Sequence, residues 1–139
     1  MYQLNNRNWP IVIFDFQGPQ TLAEHEKNLA DWDKQFLFAK PFVAVRIFHD
    51  EYALMHPEGA GQVTKIWLRD GAAQSIKKSV LAMINIVPES AYERMKHMSV
   101  EAVFGVPGGI FKSYHDAVKW FNSNIDTAIA MNMDPLGLN

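Results

Sequence analysis

The chain has 139 residues, 48% of them hydrophobic and 20% charged, a length that builds one substantial core and argues for a single domain spanning 1–139. A formal charge of −2 supplies no positive field for phosphates, so nucleic acid is not an expected partner. With no cysteine, disulfides, thiolate metal sites and cysteine nucleophiles are excluded together.

The first eight residues, MYQLNNRN, lack the basic start and apolar run of a signal peptide, and no apolar run approaches membrane-spanning length. A cytoplasmic location without integral membrane association is the expectation. Residues 9–16, WPIVIFDF, read as a strand buried on both faces that ends at Gly18-Pro19. Thr21 and Glu24 form a capping box, and a helix with Leu22, Leu29 and Phe36 on its apolar side runs until Pro41. Residues 42–48, FVAVRIF, form a second strand, followed by a loop, 49–61, rich in acidic and imidazole groups. Residues 62–81 are expected as a helix carrying Trp67, with Asp70-Gly71 as a point of interruption. A third strand covers 82–87, AMINIV, and a short helix 91–98 follows Pro88. A fourth strand is expected at 102–106, with Gly108-Gly109 turning the chain and Ser113 capping a final helix that Asn122-Ser123-Asn124 would split. Beyond it, AIAMNMDPLGLN is expected to dock on the body or on a neighbouring chain and to end in a mobile tail after 133. Alternation of strands and helices implies an α/β fold: one small mixed, mostly parallel sheet covered by about four helices.

The stretch GVPGGIFKS, 105–113, invites comparison with a phosphate loop. Aligned on Lys112-Ser113, however, Val106 and Phe111 stand where the two required glycines belong, so no nucleotide cofactor is expected. Nothing else in the chain calls for a cofactor.

The order of elements, together with PIVIFDFQGPQT, KPFVAVRIF, LAMINIVPES and EAVFGVPGGIFKSYHDAVKWF, resembles the SpoIIAA-like branch of the STAS superfamily over most of residues 9–121. The resemblance implies a small sheet with a non-parallel strand near the N-terminus. It also implies a regulatory role exercised through protein contact. Phosphorylation in that superfamily uses a Ser in an Asp-x-Ser-Gly element. Here Asp50 matches, but Tyr52 stands at the Ser and Ala53 at the Gly, so the phosphorylation switch is not expected. The branch is also similar to CRAL-TRIO lipid carriers, which implies an apolar ligand as a second role.

Three groups of residues are candidates for function. His49, Asp50, Glu51, His56 and Glu58 include acceptable metal ligands and general bases, although their spacing matches no metal motif and a solvated loop, turned by Pro57 and two glycines, is the favoured explanation. Tyr52, Met55, His56 and Trp67 could line a pocket or present a binding face to a ligand or partner. Met83, Met95, Met98, Met131 and Met133 could line a deformable cavity or simply fill a core. The acidic first helix and the basic second one leave homodimerisation open. The leading expectation is a non-enzymatic regulatory or protein-interaction domain. A carrier or sensor of an apolar ligand is the alternative, and an enzyme built on the 49–58 loop comes third.

Overall fold

A computed structural model describes residues 1–125. Its centre is one mixed five-stranded sheet in the order β1 (Tyr2–Asn8), β2 (Ile11–Phe16), β3 (Phe42–Phe48), β4 (Val80–Ile86) and β5 (Gly108–Phe111). β1 is antiparallel to β2, whereas β2 with β3, β3 with β4 and β4 with β5 run parallel.

This strand order decides where the helices go. When successive parallel strands are laid down in one direction, right-handed crossovers place every connection on the same face. Accordingly α1 (Leu22–Phe36), α2 (Ala60–Trp67), α3 (Ala73–Ser79) and α5 (Val100–Phe104) contribute Trp32, Trp67, Ile76 and Val100 to one core, with Phe14, Ala44 and Met83 of the sheet. α4 (Glu89–Met95) precedes α5 in the last crossover. The opposite face meets α6 (Tyr114–Asn124), whose Tyr114, Ala117 and Phe121 pack on Ile13, Val45 and Ile84. Six α-helical segments are thus present among the described residues, where about four were expected.

Local sequence explains most boundaries. The Thr21 side chain accepts from the Glu24 backbone and Glu24 answers it, completing the capping box of α1. Glu24 also accepts from the Tyr2 backbone at 3.0 Å, and the Tyr2 hydroxyl donates to Asp31 at 2.8 Å, so α1 and β1 are tied at two points. This tie and the pairing with β2 make a strand of YQLNNRN, whose polar residues carry no strand signal of their own. The expected 62–81 helix is α2 and α3 separated by a kinked π segment, Leu68–Ala72, where Gly71 leaves the helical conformation at φ 141°, at the expected point of interruption.

The stretch around residue 105 requires two corrections. The expected strand at 102–106 is helix α5: the Ser99 hydroxyl accepts from Ala102 at its start, and Gly105, at φ 76°, ends it in the left-handed conformation. The two caps outweigh the strand preference of the apolar residues between them. The expected turn at Gly108-Gly109 is instead the start of β5. A Cβ on Gly108 would lie 2.2 Å from the Met83 carbonyl oxygen and 2.6 Å from Val100, so glycine is what lets this strand slide in beneath α5. Ser113 caps α6 by accepting from Asp116. The expectations for AIAMNMDPLGLN, including Met131, Met133 and the tail, lie outside the described residues.

Candidate functional site

Between the sheet and the helices of the more heavily covered face lies a cavity of about 340 Å3. Its floor comes from the carboxyl-terminal halves of the strands: Phe16, Arg46, Phe48, Met83, Asn85 and Ile110. Ligands of open α/β sheets gather beyond these strand ends. Leu29 and Trp32 of α1, Trp67 and Leu68 at the start of the π segment, and Val100 and Phe104 of α5 form the opposite wall. Met55, His56, Met98 and Val103 stand at the rim, with Met55 64% exposed and Val103 also exposed.

The walls are built by aromatic packing. Phe16 stacks on Phe48 with centroids 4.9 Å apart, and Phe14 stacks on Trp32 at 4.3 Å. Trp67 packs between Trp32 and Phe36, and its indole N–H donates to Asp33 at 2.8 Å, which fixes the ring over the cavity. Wide rings held this way keep the layers apart where small side chains would let them close.

Within this apolar surround sits one fixed charge. The Arg46 Nε donates to Asn85 Oδ1 at 2.6 Å, and the guanidinium lies over the rings of Phe48 at 5.7 Å and Phe104 at 5.2 Å. Asn85 is itself oriented, because its Nδ2 donates to the Gly109 carbonyl at 3.3 Å. Burial pushes Arg46 down to about 10, still cationic at neutral pH. No Asp or Glu lines the cavity, and among the described residues Arg46 has no ion-pair partner. A second polar group, the side-chain oxygen of Asn28, is buried without a hydrogen-bond partner on the α1 wall. Near the rim, His25 shares a 2.6 Å hydrogen bond with the Thr64 hydroxyl and faces His56 edge-on at 6.3 Å. Burial, with the neighbouring His56, holds His25 below the usual imidazole range.

Of the residues singled out in the sequence, Met55, His56 and Trp67 line the cavity, as do Met83, Met95 and Met98. Tyr52 is 61% exposed and is not part of the lining. The charged loop 49–58 is divided among separate tasks. His49 pairs with Asp15 at 2.5 Å beside a smaller hollow lined by Ile13 and Ile47, residues of the opposite core. Asp50 accepts from the Gly18 and Ala53 backbones at 2.9 Å each, which sets the turn and lowers its pKa. Glu51 takes both Arg94 nitrogens, at 2.8 and 2.5 Å, and the Ser90 hydroxyl, which pushes its carboxyl down to about 2 and pins α4 to the loop. Among the described residues no group of three His, Asp or Glu side chains is placed to hold a metal ion.

The residues missed in the sequence are Arg46, Asn85 and Asn28. The first two had a readable signal. Each is the lone polar residue in an otherwise apolar strand, FVAVRIF or VLAMINI, and the two strands pair Arg46 directly with Asn85.

Compared with protein-family models, curated proteins and solved structures, the chain matches none of them. Among the described residues no helix is long and apolar enough to cross a membrane.

Proposed function

We propose that the chain is a non-enzymatic carrier or sensor that takes a small apolar ligand into the cavity between the sheet and helices α1, α2 and α5. The cavity itself carries this reading. Protein interiors are packed with few voids larger than a water, yet here about 340 Å3 opens where the core would otherwise be continuous. That volume falls at the small end of ligand pockets, roughly 300–1,000 Å3. The CRAL-TRIO similarity of the SpoIIAA-like branch points the same way, and an antiparallel first strand followed by four parallel ones supports that resemblance. The test is a titration with 1-naphthylamine, a neutral probe small enough for this volume. Saturable, blue-shifted emission at one probe per chain is expected, and a folded Leu29→Trp variant, which fills the cavity from α1, should lose it. Absence of saturable binding in the unsubstituted protein overturns the reading.

A second reading, the protein-contact role implied by the SpoIIAA-like resemblance, draws support from the exposed side chains of Tyr52 and Met55. It expects a partner cross-linked in host extract and lost in a Tyr52→Ser/Met55→Ser variant. Cross-linking unaffected by that variant counts against this surface.

A further inference from the structure

We propose that the ligand is an amphiphilic monocarboxylate of the medium-chain fatty-acid class, its carboxylate seated on Arg46 and its chain lying along Met83, Ile76 and Trp67. This rests on the carrier reading and adds the chemistry of the ligand's head.

A guanidinium facing an apolar cavity without a counter-ion is costly, since a desolvated charge is tolerated only when paired. Neither the lining nor the described residues around Arg46 supply an anion. The missing partner must therefore arrive with what fills the cavity. The fork is also set for it: Nε is committed to Asn85, and Asn85 is held by Gly109, leaving the two Nη groups for the paired oxygens of a carboxylate. The rings of Phe48 and Phe104 keep the guanidinium from swinging away.

Charge selects carboxylate over phosphate monoester. Arg46 is the only Lys or Arg in the lining, so one positive charge is offered, whereas a phosphate monoester brings about −1.5 to −2 at neutral pH. The remaining ionisable lining groups, His25 and His56, are the imidazoles near the rim, and His25 is biased toward its neutral form. Size limits the tail. At about 30 Å3 per water-sized group, the cavity holds roughly a dozen non-hydrogen atoms, which describes decanoate.

The experiment displaces 1-naphthylamine with decanoate, decanol and decyl phosphate, from the unsubstituted protein and from Arg46→Met and Arg46→Lys. Decanoate should compete at concentrations at least about tenfold lower than decanol, the scale of a charge-assisted hydrogen bond. Arg46→Met should lose the preference of acid over alcohol, whatever its own affinity for the probe, and Arg46→Lys should keep part of it. If Arg46→Met does not fold, the comparison of decanoate with decanol on the unsubstituted protein still decides. Equal competition by acid and alcohol, or a preference for decyl phosphate, overturns the inference while probe binding leaves the carrier reading standing. Failure of the probe itself to bind overturns both.

Discussion

Asn28→Leu separates a residue kept for folding from one kept for the cavity. Asn28 is 8% exposed, sits within α1 and has a side-chain oxygen without a partner. An unmade buried hydrogen bond costs about 1–3 kcal/mol, and replacing the amide by an apolar group of similar shape relieves that cost. Leu adds a few tenths of a kcal/mol, roughly, through helix propensity. The substitution should therefore raise unfolding free energy by about 1–3 kcal/mol. For a chain of this size, that corresponds to about 4 °C in Tm per kcal/mol. Urea unfolding of the two proteins is the assay, and the midpoint should rise with an unchanged slope, since the surface exposed on unfolding stays nearly the same. Neutral-probe binding should persist. A loss of 1 kcal/mol or more would refute the reasoning, because it would mean that the Asn28 amide is satisfied in the folded protein.

Thr21→Ala removes the hydroxyl that accepts from Glu24 and should cost about 1 kcal/mol in urea unfolding, without altering probe binding. Gly108→Ala places a Cβ 2.2 Å from the Met83 carbonyl oxygen, so β5 must shift from β4. It should destabilise by about 3 kcal/mol or more, with amide exchange accelerating first in 108–111 and in α5. Because Arg94 and Ser90 depress the Glu51 carboxyl to about 2, its contribution is full above the ordinary glutamate value near 4.5 and is lost as pH falls through the lowered one. The Tm difference between the unsubstituted protein and Glu51→Gln should therefore be constant above about pH 5 and shrink steadily as pH falls from there toward about 2; a difference that does not change between about pH 5 and pH 2 contradicts the pairing.

Legibility in the sequence followed the range of the interactions. The capping box at Thr21, the Ser113 cap and the branched, aromatic runs of β2, β3 and β4 act within a few residues and could be read directly. β1 could not, because the strand is held by Phe16 and its neighbours and by α1, not by its own Asn-rich composition. The shift at 102–111 has the same origin. The Gly108–Met83 approach that makes two glycines a strand is a tertiary contact, and the Ser99 and Gly105 caps compete with the apolar run Ala102, Val103 and Phe104, which resembles a strand. At the site, Met55, His56 and Trp67 stood out by residue type. Arg46 and Asn85 acquire meaning only when β3 and β4 are laid side by side, and Asn28 only when α1 covers the sheet.

The cavity is tested most directly by isotope-filtered NMR on 13C-labelled protein saturated with unlabelled decanol, a ligand that does not depend on Arg46. The account predicts contacts from the decanol chain to the methyl groups of Ile76, Met83 and Val100, which line the interior. Contacts confined to exposed side chains such as Leu37, or none at all, would contradict it.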